Sequence, residues 1–348
     1  RSKMECSAQP TSLHKDSAPL LLNFDINKTL IISDVGAGVD SSSMINSILS
    51  ECSWGKINFA SLDFELLSEA PSSSPPGKVV EDLSEAALRP KGNEPYSAWL
   101  TYNEFLEDVK QVAYKLKKTL KKTFTCPGQV GEKFREFYVK FEEALKLPPE
   151  VLKDNPIDRL PEVLQSGSHF ILPSFFRLLI HLQETGREFH LVFRTFGEDI
   201  PKIAGEFNAF CEGAHPLYPG VAMDGSAGGP DRRLLLPLHS GCFYRDGPGS
   251  EGVHLTLVNP THQVLELHHG LQNVSRVIQE RARTSTLALR DHYPWWRAQG
   301  ESDQSGKVLV VGQGPTPASP TPPSPPAAGS EAWRTVFFDD NVERRRAH

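Results

Sequence analysis

Long hydrophobic runs are missing from this chain of 348 residues. No apolar stretch approaches the roughly 18 to 20 residues needed to cross a bilayer, and the N-terminal segment has no apolar core of the signal-peptide kind. A membrane span is therefore not expected, and the chain reads as soluble and cytoplasmic. A basic excess is missing too. The 37 Lys and Arg residues are outnumbered by 43 Asp and Glu, and the net charge of −6 argues against a general nucleic-acid binder. Cysteine is scarce and unpatterned: Cys6, Cys52, Cys126, Cys211 and Cys242 are odd in number, scattered and without C-x-x-C spacing. Neither a disulfide framework nor a cysteine zinc site is indicated, which fits a reducing compartment. No internal repeat of fixed period is present. The glycines between Gly220 and Gly229 lack the lysine and Ser/Thr of a phosphate-cradling loop. The first residue, Arg1, is not a methionine, so a fragment or an incomplete gene product is an expectation.

What is present is ordinary globular material. With 39% hydrophobic and 23% charged residues the chain is long enough for one large or two medium domains. EAPSSSPPGK (Glu69 to Lys78) and GVAMDGSAGGPDRR (Gly220 to Arg233) read as surface loops, and the proline-rich stretch from Gly312 to Ala332 as disordered or polyproline-like. Between these punctuation points Phe105, Val109, Val112, Leu116 and Leu120 recur at three- and four-residue steps and predict one strongly basic amphipathic helix, its lysines reading as a solvated face. GEKFREFYVKFEEALKL and LPSFFRLLIHLQETG predict further helices, the second closing on Gly186. IPKIAGEFNAFCEG predicts another helix, GCFYRDGPGSEGVHLTLVN a two-stranded hairpin, and residues from about Asn273 to Trp296 a long helix.

Three apolar runs end on polar or charged residues. Leu20 to Phe24 runs into Asp25, Ile26, Asn27, Lys28 and Thr29; Phe189 to Phe193 closes on Arg194, Thr195 and Gly197; Val336 to Phe338 closes on Asp339 and Asp340. A carboxylate at the mouth of a strand is costly to desolvate unless a metal, a donor or a substrate uses it. Strands separated by long helices predict an α/β domain with a mostly parallel sheet, whose sites lie beyond the carboxyl ends of the strands.

In its order along the chain, strand-Asp-x-Asn-x-Thr-Leu, then strand-Arg-Thr-Phe-Gly, then a lysine, then strand-Asp-Asp resembles the four-motif signature of the haloacid dehalogenase-like superfamily. The resemblance covers the sheet and its strand ends and leaves the long intervening stretches unmatched. It implies a Rossmann-like core with a mostly parallel sheet, built from residues 19–35 and 186–348, with flexible loops at 220–233 and 312–332. A tail at 1–18 and a largely helical, cap-like insertion at 36–185 complete the implied organisation. The family fold normally continues past its last acids into a further strand and helix; only NVERRRAH follows Asp340, which makes a truncated chain a further expectation.

Residue by residue, the resemblance implies that Asp25 is a nucleophile that becomes an aspartyl phosphate. It implies that Thr195 hydrogen-bonds the transferring phosphoryl group, and that Asp25, Asp339, Asp340 and the backbone carbonyl of Asn27 hold magnesium. A lysine completes the set, either Lys307 in SGKVLVV or Lys202 in EDIPKIAGEF. The departure is Asn27, which stands where the family's phosphatases carry the aspartate that acts as acid and base. An amide does neither, and losing such a group typically costs about 10²- to 10⁴-fold in rate. Two functions follow as expectations: a magnesium-dependent phosphatase of a small phosphorylated metabolite, or a catalytically weak or inactive relative that binds or regulates. No protein partner is legible. The histidines His254, His262, His268 and His269 lack a metal-ligand pattern, and Tyr293, Trp295 and Trp296 in DHYPWW read as packing at a helix end or as an aromatic wall.

Overall fold

The computed structural model describes residues 18–33, 39–58, 61, 63–76, 99–247, 249, 251–259, 261–300, 305–309 and 333–340. The Gly312 to Ala332 stretch and all of the 1–18 tail but Ala18 lie outside them. The chain groups into two compact units. One gathers the segment ending at Asp25, Pro173–Phe196 and Phe207–Phe338; the other gathers Ile26–Leu172, Gly197–Glu206 and the segment from Asp339.

The first unit is α/β. Its seven-stranded sheet runs in the order β10, β1, β5, β9, β6, β7, β8, with β1 Leu20–Asp25, β5 Phe189–Thr195, β6 Ser240–Arg245, β7 Val253–Val258, β8 Leu265–His269, β9 Leu287–Asp291 and β10 Arg334–Phe338. The first five in that order are parallel, and β7 and β8 extend the sheet in antiparallel fashion. A parallel strand covered on both faces needs a continuous apolar run rather than alternation, and every residue of β5 is buried. The sheet packs a core of Leu21, Val192, Phe243, Leu255, Val277 and Leu289.

The second unit carries a three-stranded antiparallel sheet, β3 Asp63–Leu66, β2 Trp54–Asn58 and β4 Leu100–Thr101, and the helices α1 Ser41–Glu51, α2 Tyr114–Lys122, α3 Arg135–Ala144 and α4 Pro149–Asp154. Helix α1 starts where Asp40 accepts a 2.7 Å hydrogen bond from the Ser43 N–H, the usual way a helix satisfies a free first-turn donor. Its Ile45 and Leu49 pack with Ile57, Phe64, Tyr102 and Phe124. The 36–185 insertion is thus part strand, and its last helix, α5 Pro173–Glu184, groups with the large sheet.

Four expectations need correction. The basic helix is not continuous: a turn of α-helix at Tyr102–Glu104 passes into a π-helical turn at Phe105–Val109, and the chain breaks before α2, with Gln111 at φ 48°. The hairpin gains a third strand, β8. Nor is Asn273 to Trp296 one helix, because α7 Leu271–Thr284 stops, β9 follows, and α8 Tyr293–Ala298 is separate. Strand β9 is an inner strand of the sheet, and its five residues are too few for pattern alone to separate it from the helical sequence on either side. Finally, the apolar segment KVLVV just before the proline-rich stretch reads from its sequence as a short strand, but Lys307, Val308 and Leu309 are not in one. Helix α6 Ile200–Cys211 stands as expected, although its first turns group with the second unit.

Candidate active site

Parallel pairing lines up the carboxyl ends of the strands. Asp25 is the last residue of β1, Thr195 of β5 and Asp291 of β9; the register sets Asp25 beside Arg194 and Thr195 beside Arg290. On the other side of β1, Phe24 pairs with Phe338 of β10, and their rings stack at 4.5 Å. Asp25 and Asp339 are the next residues of those two neighbouring strands, so the register itself brings the acids together. One carboxylate oxygen from each of Asp25, Asp339 and Asp340 lies within 4.8 Å of the others, and no other such group of potential metal ligands occurs among the described residues.

Lys307 completes the constellation. Its Nζ lies 2.5 Å from Asp25 Oδ1, with both side chains almost wholly buried, at 6% and 5% exposure. A lysine on a coil segment needs something to hold it, and Arg194 does so. Arg194 Nη1 donates to the Val308 carbonyl at 3.1 Å, while its Nε donates to Asp291 Oδ2 at 3.0 Å and its Nη2 to Asp291 Oδ1. The guanidinium also lies over the Phe243 ring, 4.6 Å from its centroid. A buried charge is tolerated when its donors are satisfied in this way. Lys307 lies over Phe196, at 5.2 Å, and Phe196 stacks on Trp296 at 4.8 Å. Of the DHYPWW aromatics, Trp296 and Tyr293 therefore back the Phe196 ring that faces the site lysine. The rival Lys202 is exposed on α6.

In the second unit, residues 26 to 31 form a tight turn in which Lys28 N–H donates to Ile31 O and Leu30 N–H to Ile26 O. Lys28 sits at φ 62°, a left-handed conformation that costs an ordinary side chain about 1–2 kcal/mol. The Asn27 amide donates a 3.0 Å hydrogen bond to Asp199 Oδ2. Asp199 is buried, and its carbonyl accepts from Ile203 N–H in the first turn of α6. Lys28 Nζ reaches Glu51 at 3.4 Å and Asp340 at 3.5 Å, and Lys121 Nζ reaches the same Glu51 oxygen at 2.6 Å. Burial pushes the Glu51 carboxyl up, but Lys28 and Lys121 more than offset it and hold the group below the usual carboxylate range. Burial likewise works against the Lys28 ammonium, and Glu51 and Asp340 reverse it, so Lys28 is held above the usual lysine value.

Of the residues singled out from sequence, Asp25, Asp339, Asp340 and Lys307 come together, and Thr195 ends the strand next to β1, fully buried. Asn27 turns its side chain to Asp199. Sequence reasoning missed Arg194, Asp291 and Asp199 as site residues; Arg194 and Asp199 lie within four positions of Thr195, and that closeness was the available signal. His254 and His269 touch each other through Nδ1 at 2.8 Å and His254 Nε2 meets Asp246 at 2.8 Å, a chain rather than a convergent ligand set. The three carboxylates do suit magnesium. They are hard oxygen donors, and an octahedral ion with ligands at about 2.1 Å sets neighbouring oxygens about 3 Å and opposite ones about 4.2 Å apart, inside the observed limit. No protein-family model matches this chain, and neither the curated proteins nor the solved structures provide a match.

Proposed function

We propose that the chain is a haloacid dehalogenase-like hydrolase that removes phosphate from a small phosphorylated molecule through Asp25. The observation that carries this reading is the convergence, at the carboxyl ends of β1 and β10, of three carboxylates with one lysine seated on Asp25. Asp25, Asp339, Asp340 and the Asn27 carbonyl would hold magnesium, which would supply positive charge to offset that of the phosphate the carboxylate approaches.

Asp25 attacks phosphorus and the bond to the leaving oxygen breaks; water then cleaves the aspartyl phosphate and restores the carboxylate. Lys307 keeps a positive charge beside Asp25 while the negative phosphate arrives, and the Arg194 bond to Val308 fixes the segment that carries it. Thr195, at the end of β5, is the hydroxyl for the transferring group.

One observation favours a second reading, a relative that binds a phosphorylated ligand with little turnover. Position 27 offers an amide, and that amide is committed to Asp199. The test is hydrolysis of 4-nitrophenyl phosphate with and without magnesium, by the protein and by Asp25→Asn. The expected outcome is magnesium-dependent turnover abolished in Asp25→Asn. Turnover that survives in the variant would remove Asp25 as nucleophile, and a folded protein with no turnover would favour the binding reading.

A further inference from the structure

Strand β8 ends the sheet. It pairs with β7 on one side, and among the described residues no strand pairs with its other side. Such an edge is usually blunted by lysine, proline or a bulge, yet β8 reads Leu265-Glu266-Leu267-His268-His269. Val264, Leu265 and Leu267 are 54%, 75% and 49% exposed.

The ladder fixes which backbone groups face outward. Gly270 N–H donates to Val253 O at 2.9 Å, and Asn259 N–H to Val264 O at 2.7 Å. Hydrogen-bonded pairs alternate along an antiparallel ladder, so residues 264, 266, 268 and 270 turn their N–H and C=O groups toward β7. Leu265, Leu267 and His269 turn theirs to the free edge. Their side chains share one face. Glu266 lies on the other, where Arg281 of α7 donates to it at 3.0 Å.

We propose that β8 is the docking edge for a second copy of this chain, joined by antiparallel pairing about a two-fold axis through Leu267. That register uses every outward backbone group. Leu267 pairs with its own copy, and Leu265 pairs with the other copy's residue 269 in both directions, each as a two-bond pair. The exposed leucines meet on one face. On the other, each Glu266 stands across from the other copy's residue 268, which matches carboxylate to imidazole. His268 Nε2 is buried without a hydrogen-bond partner in the single chain, 3.7 Å from its own Glu266. A self-complementary patch of this kind is what a two-fold interface requires.

The test is sedimentation equilibrium of the full chain from about 1 to about 100 µM, the range in which a small interface associates, together with hydrogen exchange of the β8 amides. The expected result is a concentration-dependent rise to the mass of two chains, with the amides of Leu265, Leu267 and His269 slowing as the dimer forms. Leu267→Lys sets like charges against each other on the axis and is expected to lower the association at least tenfold while the thermal midpoint holds. A chain that stays at the mass of one copy throughout overturns the proposal. So does an association that Leu267→Lys leaves unchanged, or one in which those three amides exchange as fast as in the single chain.

Discussion

Asn27 is where sequence and chemistry part company, and Asp199 is its counterpart. The carboxylate absent from position 27 stands 3.0 Å from the Asn27 amide, 172 positions along the chain. Asn27→Asp alone sets two carboxylates in contact, which disfavours ionising both. Its expected cost is about 1–3 kcal/mol, measured by urea unfolding. Asp199→Asn leaves two amides facing each other and loses a charge-assisted bond, at a similar cost. The double exchange Asn27→Asp with Asp199→Asn keeps one amide–carboxylate bond with its direction reversed, and is expected to recover most of that stability. If the proposed hydrolysis holds, it is also expected to raise the rate on 4-nitrophenyl phosphate by about 10²-fold or more, because it puts a carboxyl group where that reaction would need a general acid. A double variant no faster than the protein itself would show that position 27 does not limit the reaction. At this scale the sequence was legible wherever an acid directly follows an apolar run, as at Asp25, Asp339 and Asp340. It was silent on Asp199, whose partner is distant in sequence and leaves no local pattern.

The segment carrying Lys307 depends on β5 and β9, strands that themselves contribute nothing to the carboxylate cluster. Arg194 and Asp291 form an ion pair at 2% and 4% side-chain exposure, and Arg194 extends it to the Val308 carbonyl. Removing one member of such a pair strands the other, so Arg194→Met is expected to lose about 3–5 kcal/mol of stability. Combining it with Asp291→Leu removes the stranded charge and is expected to restore most of that loss in urea unfolding, while hydrolysis stays low because Lys307 is no longer anchored. Recovery of both would show that Arg194 serves stability alone. This arrangement was hidden in the sequence because β9, five residues between two helices, is too short to announce a period of its own. By contrast β1, β5 and β10 were legible, since runs such as LLLNF and FHLVF leave no polar face for an amphipathic helix. The break before α2 was not: Gln111 adopts a left-handed backbone that its residue type does not advertise.

Over the whole molecule the α/β class and the parallel centre of the sheet were legible from strands alternating with helices, whereas the three-stranded sheet of the second unit was not. Its strands are short, and β4 has only two residues, too few to show a period. The large unit also predicts an acid response. His190 is buried in the sheet, its ring nitrogens meeting the Ala282 carbonyl at 2.8 Å and Glu188 at 3.1 Å, and burial lowers its pKa. A histidine depressed in the folded state contributes stability that is complete above its unfolded value of about 6.5 and is lost as pH falls through the folded value. His190→Phe is therefore expected to flatten the acid side of the stability curve below about pH 6.5, read from urea midpoints across pH; an unchanged slope would assign the response elsewhere. Whether Asp25 carries the phosphoryl group is decided by mixing the protein and magnesium with a radiolabelled phosphomonoester, quenching in acid, and locating the label by peptide mapping. Label is expected on Asp25, turning over with time and absent from Asp25→Asn. Phosphate release with no label on the protein at any time would contradict it.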